Sequence, residues 1–266
     1  MSNFKIMKAA FVQFEPAFGE KERNINRSIE IMKSAEADIF VLPELCFTGY
    51  AFNSRKEAEY FAETVPEGES ISKMKDFAKS KKAAIAFGLA ERVENKIYNA
   101  CVFIGKNGEY ANYRKIHLFQ YEKLWFDSGA ERPQVIEYQG NRFGMMICFD
   151  WIFPEISRRL ALEGAQIILH PANLVLPYCQ DAMVTRSIEN RVFSITANRI
   201  GVEKRGPYNY EFTGKSQIIS PQGVRLKAAS QSKEEIGIAD INIGESDNKS
   251  LNEFNNIWDD RHPELY

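Results

Sequence analysis

The chain has 266 residues, of which 44% are hydrophobic and 26% charged, and its formal net charge is −2. These proportions suit a soluble globular protein large enough to bury a substantial core. The balanced charge gives no electrostatic footprint for nucleic acid or an anionic membrane, and no window reaches the uninterrupted apolar length of a membrane span.

The N-terminal stretch MSNFKIMKAAFVQFEPAFGE lacks a secretory h-region and reads as mature protein. Within it AAFVQF (9–14) predicts a first strand. NINRSIEIMKSAEA then places Ile25, Ile29 and Met32 on one helical face. ADIFVLPE (37–44) predicts a second strand, and ESISKMKDFAKS a helix with Ile71, Met74, Phe77 and Ala78 facing inward. Two strands follow at 83–92 and 96–105, joined closely enough for antiparallel pairing. RFGMMICF (142–149) leads into PEISRRLALEGA, a helix with proline at its start and Gly164 at its stop. AQIILHPA (165–172), the helix DAMVTRSIENRV, FSITANRI (193–200), KSQIIS (215–220) and EIGIADINI (235–243) complete the order. The connection from 193–200 to 215–220 again permits an antiparallel pair. Continuous apolar runs such as IFVL, MMIC and QIIL suit strands covered on both faces. The pattern predicts a layered α/β domain over residues 1–245 with mixed sheets. A polar extension follows at 246–266, and its Leu251, Phe254, Ile257 and Trp258 predict docking on its own or a neighbouring subunit.

Familiar catalytic patterns are absent: there is no G-x-S-x-G elbow, Walker loop, G-x-G-x-x-G or H-E-x-x-H. The four cysteines (Cys46, Cys101, Cys148 and Cys179) include no C-x-x-C pair, which points to free thiols in a reducing cytoplasm. His117, His170 and His262 are isolated and read as structural or surface residues, so neither a zinc site nor a Cys–His dyad is expected. What remains is a set of polar residues after predicted strands. Glu44 follows an apolar strand and a proline, Lys115 precedes Glu122 by seven residues, and Cys148 ends an apolar run. Carboxyl ends of strands are where open α/β sheets bind ligands. A carboxylate, an ammonium and a thiol gathered there form a self-sufficient hydrolytic set of base, oxyanion stabiliser and nucleophile. Each also has a plain alternative: Glu44 caps a turn, Lys115 is a surface cation, and Cys148 packs as a small hydrophobe.

LPELCFTGY, YRKIHLF and ICFDWIFPE, in that order, resemble the three motifs of the nitrilase or carbon–nitrogen hydrolase superfamily. The likeness continues through HPANLVLP, RSIENRVFSITANRIGVE, FTGKSQIISPQG and the GIADINI strand, to about residue 245. It implies a four-layer α-β-β-α sandwich. It also implies Cys148 as nucleophile, Glu44 as general base and Lys115 as the cation that stabilises the tetrahedral intermediate. Glu122 fits the second glutamate that many members carry, either orienting Lys115 or substrate, or merely pairing with Lys123 on the surface. The backbone N–H of Phe149 is the implied second oxyanion donor.

Tyr50, Trp125, Phe126, Trp151 and Asn173 fall on loops near these motifs and are expected, with Phe149, to wall a small apolar substrate pocket. Asp150 and Glu155 are expected at a helix start, where negative charge is favoured. The resemblance implies no cofactor and no metal. It implies a homodimer formed through the helix after Cys148 and the helix near 178–192, with the extension crossing onto the partner. The substrate implied is a small amide or nitrile. CFDWIFPE resembles the amidase and carbamoylase branches, while YRKIHLF, CFDW and HPANLV resemble short archaeal-type aliphatic nitrilases. N-carbamoyl amine hydrolysis, a non-catalytic scaffold and an acyltransferase are the alternatives.

Overall fold

The structure, a computed structural model, describes residues 6–265; residues 1–5 and Tyr266, the outer ends of the expected domain and extension, lie outside it. Five strands occur before residue 115: β1 (Ile6–Gln13), β2 (Ile39–Val41), β3 (Ala84–Val93), β4 (Lys96–Ile104) and β5 (Tyr110–Arg114). Nine follow: β6 (Val135–Tyr138), β7 (Asn141–Met145), β8 (Ile167–Ala172), β9 (Phe193–Asn198), β10 (Val202–Arg205), β11 (Tyr208–Glu211), β12 (Gln217–Ile219), β13 (Arg225–Ala228) and β14 (Glu235–Asn242). The helices are α1 (Lys21–Lys33), α2 (Arg55–Phe61), α3 (Glu69–Lys81), α4 (Glu122–Trp125), α5 (Pro154–Leu162) and α6 (Cys179–Asn190).

The strands form two six-stranded sheets, ordered β14-β1-β2-β3-β4-β5 and β13-β12-β9-β8-β7-β6, while β10 and β11 make a separate hairpin. Each sheet has three parallel strands flanked by antiparallel ones, so both are mixed. The antiparallel pairs expected from sequence, β3 with β4 and β9 with β12, both form.

Strand alternation builds the layers. Ala9 and Phe11 of β1, Ile39 and Val41 of β2, and Cys101 and Phe103 of β4 join one core with Phe143, Leu169 and Ile195 of the second sheet. Ala10, Val12, Phe40, Val102 and Ile104 point the other way, onto Ile25 and Met32 of α1 and Ile71, Met74 and Phe77 of α3. On the far side Ile156 and Leu160 of α5 and Cys179 and Met183 of α6 cover the second sheet. The chain therefore forms the four-layer α-β-β-α sandwich.

Several elements depart from the sequence reading. The strand expected at 142–149 stops at Met145, because the Ile147 N–H turns to the Asp150 carboxylate and Cys148 adopts a left-handed φ of 41° that a ladder does not accommodate. The strand expected at 37–44 spans only 39–41, since Pro43 has no N–H and Leu45 is also left-handed (φ 46°). The short strands β5, β6, β10, β11 and β13 and the helices α2 and α4 carry too little apolar periodicity to stand out in the sequence.

The extension begins by docking on its own subunit. Asp247 bonds Arg142 and Gln166, the Lys249 ammonium caps α6 at the Asn190 and Arg191 carbonyls, and the Trp258 ring packs against Lys249 and Arg158. Between Lys249 and Trp258, Phe254 stands 82% exposed.

Candidate active site

Four loops leave the carboxyl ends of β2, β5, β7 and β8, and they carry Glu44, Lys115, Cys148 and Asn173 respectively. The turn after β2 lies so close on β3 that a Cβ at Gly88 would meet the Glu44 Cα at 2.5 Å; only glycine permits that approach. Glu44 is thereby held wholly buried. Its Oε1 accepts hydrogen bonds from Asn99 Nδ2 at 2.7 Å and Lys115 Nζ at 2.7 Å, while its Oε2 has no partner among the described residues. Lys115 is also fully buried, and its ammonium donates in addition to Glu122 Oε1 at 2.8 Å.

Glu122, the first residue of α4, accepts from three donors: Lys115, the Tyr50 hydroxyl at 2.7 Å, and the Phe119 N–H at 3.1 Å. It is fully buried, so pairing with Lys123 at the surface is ruled out, and it is Lys115's second carboxylate. Burial pushes Glu122 up to about 7, with Lys115 pulling it down and the Glu44 charge pushing it further up. Burial alone would lower Lys115, but Glu122 and Glu44 outweigh it and hold the ammonium above its usual range. The second glutamate thus secures the charge of a lysine that would otherwise shed its proton on burial.

Cys148 opens a turn of 3-10 helix, Cys148–Ile152. Its left-handed backbone is held from several sides. His170 Nε2 lies 3.0 Å from the Cys148 carbonyl oxygen and His170 Nδ1 lies 3.1 Å from Thr196 Oγ1. Burial lowers His170 to about 4, so it is a neutral strut rather than a base. Asp150 accepts from the Ile147 N–H, the Tyr113 hydroxyl and the His117 N–H, which ties the cysteine turn to the lysine loop. Burial, followed by the Glu44 charge, raises the Cys148 thiol; Lys115 and a hydrogen bond from the Asn173 backbone N–H oppose that rise. Burial thus favours the neutral thiol.

A small hollow, partly open to solvent, reaches Cys148 and is lined by Phe119, Phe149, Trp151, Asn173 and Leu174–Leu176. Larger hollows elsewhere, such as the one between β5 and β6, touch none of Glu44, Lys115 and Cys148. Phe149, Trp151 and Asn173 therefore line the cavity that reaches Cys148. Tyr50 is a partner of Glu122 instead of a cavity wall. Trp125 stacks edge-on behind Tyr50 with Phe52 and Tyr208, and Phe126 packs on Phe52 in the same aromatic cluster, away from the cavity. Asn99 escapes a sequence reading, its one signal being a polar residue inside a buried apolar strand, and His170, read as structural or surface, is given no partner by the sequence.

Tyr50 is itself fixed by a buried pair. The Glu203 carboxylate accepts the Tyr50 and Ala51 N–H groups and bonds the guanidinium of Arg199, which is 1% exposed.

The chain is 42% identical to the nitrilase of Pyrococcus abyssi over 98% of its own length and 99% of that protein's. It is 32% identical to the 2-oxoglutaramate amidase of Bacillus subtilis, covering 96% and 97% of the two chains. Among solved structures it superposes with a TM-score of 0.79 on a mutant of the amidase from Nesterenkonia sp. AN1, at 21% identity and over 97% and 95% of the chains. That structure shows covalent addition of the acetamide moiety of fluoroacetamide at the active-site cysteine. The sequence profile of carbon–nitrogen hydrolases matches residues 8–248, and with relatives that align end to end, the chain belongs to the carbon–nitrogen hydrolase family.

Proposed function

We propose that the protein hydrolyses short amides or nitriles to the carboxylic acid and ammonia through a thioester on Cys148. One observation carries the reading. Glu44 has one oxygen clamped by Lys115 and Asn99 and a second oxygen without a partner, beside a buried thiol raised by that same charge. Such a carboxylate takes the thiol proton as sulfur attacks the substrate carbon. The Lys115 ammonium and the Phe149 N–H then hold the oxyanion. Glu44 returns the proton to the departing nitrogen, which leaves as ammonia. In the second half Glu44 takes a proton from water, water attacks the thioester, and the thiolate leaves and is reprotonated. A nitrile enters the same path by adding sulfur across its triple bond, and needs one further water.

A scaffold protein gains nothing from burying an ammonium between two carboxylates, which costs desolvation of all three groups. The aromatic lining and small volume of the cavity support a short aliphatic substrate over a peptide. The two named relatives, a nitrilase and an amidase, support both substrate types. Ammonia release from paired nitriles and amides decides between them, with C148A as the control: full turnover by that variant refutes the reading.

The homodimer belongs to the same proposal. Ile152, Leu162 and Ile188, on the turn after Cys148, α5 and α6, and Phe254 on the tail are exposed apolar side chains that support it. Sedimentation of the chain as a monomer at micromolar concentration speaks against it. All four cysteines are free thiols, which fits a reducing cytoplasm.

A further inference from the structure

Asn173 stands out among the polar residues of the molecule. It is 2% exposed, it lines the cavity that reaches Cys148, and both its Oδ1 and its Nδ2 lack a hydrogen-bond partner among the described residues. Buried amide groups are almost always paired, so an unpaired carboxamide beside a nucleophile points to a partner that arrives with the substrate. Its backbone is tightly held. The following Leu174 N–H donates to Asn198 Oδ1 at 2.8 Å, and the Leu174 carbonyl accepts the Thr213 N–H at 2.8 Å. The side chain therefore hangs from a fixed frame, in the wall of the cavity that reaches the Cys148 sulfur.

From this placement we infer that Asn173 is a specificity residue: its carboxamide pairs with a second, neutral polar group on the acyl chain of the substrate. This rests on the hydrolase reading above and narrows its substrate class. The nearness of Asn173 to the thiol limits that group to the first carbons beyond the reacting carbon. The other lining residues are Phe119, Phe149, Trp151, Leu174, Val175 and Leu176, none of them charged. Lys115 is already engaged by Glu44 and Glu122. A carboxylate or ammonium on the acyl chain would be buried there without a counterion, whereas a carboxamide, nitrile or hydroxyl can exchange a hydrogen bond with Asn173.

The test compares malonamide with isovaleramide, which has the same shape but two methyl groups where malonamide has its second amide, and with malonamate, which carries a charge there. The nitriles of the same acyl chains are run in parallel. In the wild type kcat/KM for malonamide exceeds that for isovaleramide by about tenfold to a hundredfold, one hydrogen-bonded group's worth of discrimination, and malonamate is the poorest. Asn173→Leu erases the malonamide-to-isovaleramide ratio. Asn173→Asp, of the same shape, shifts preference toward 3-aminopropanamide over malonamide, because the substrate ammonium supplies the counterion that the cavity lacks. A ratio unchanged within twofold in both variants overturns the role of Asn173. Absence of ammonia release by the wild type from every compound, with no acyl adduct on Cys148, overturns the hydrolase reading itself, so the two failures are told apart.

Discussion

Replacing Lys115 with methionine preserves the aliphatic stem and removes the ammonium that lies between Glu44 and Glu122. Both carboxylates are fully buried, so the variant leaves two charges without their cation. Removing one partner from a buried ion pair costs about 3–5 kcal/mol, and at about 2–4 °C per kcal/mol for a chain of this size the melting midpoint falls by roughly 6–20 °C. The loss depends on pH in a defined direction. Burial already raises Glu122 to about 7 while Lys115 pulls it down, so without Lys115 it moves higher. The folded variant then keeps a proton that the unfolded chain gives up once pH passes the ordinary carboxylate range. The deficit is therefore largest above neutrality and shrinks as pH falls through 7. Thermal melts of wild type and variant from about pH 5 to about pH 8 measure it. Adding E122Q to K115M removes one of the orphaned charges and recovers part of the stability at high pH. A deficit below about 1 kcal/mol, as for a solvated pair, or one equal at every pH, would refute the dry, charged trio.

Three other outcomes follow from the same geometry. Iodoacetamide alkylates Cys148 faster than Cys46, Cys101 or Cys179, because a cavity reaches Cys148 whereas the others are sealed in the core; peptide mapping showing equal labelling contradicts this. E122Q removes a group that titrates near 7 and whose ionised form anchors Lys115. The wild-type rate of kcat/KM rises as pH passes about 7, and that limb disappears in the variant, alongside a fall of about tenfold or more. Glu203→Gln loosens the Tyr50 and Ala51 backbone, so kcat falls several-fold with little change in KM. An effect confined to KM would remove Glu203 from the chain that positions Glu122.

Much of the site was legible because its chemistry sits in short continuous motifs. LPELCFTGY, YRKIHLF and ICFDWIFPE carry Glu44, Lys115 and Cys148 within three residues of a strand's end, and the fold brings these strand ends together. What sequence does not carry is how the side chains are shared out. Tyr50 and Trp125 look alike as aromatic loop residues, yet one bonds Glu122 and the other packs behind it. Asn99 and His170 act across 55 and 22 positions of chain, on Glu44 and on the Cys148 carbonyl, and only the sheet register reveals them. The hairpin of VEKR and YNYE has no apolar alternation, since its strands run over the Tyr50 loop instead of through the core. Glu122 was ambiguous because its helix is one turn long.

The covalent state of Cys148 during turnover tests the account most directly. Intact-protein and peptide mass spectrometry after acid quench of the enzyme with a short amide or nitrile should show an acyl group on the Cys148 peptide. That adduct should be absent from C148A and should form far more slowly when Glu44 is replaced by Gln, which removes the base that takes the thiol proton. An adduct on any other residue, or undiminished turnover by C148A, would contradict a cysteine thioester mechanism built on Glu44, Lys115 and Cys148.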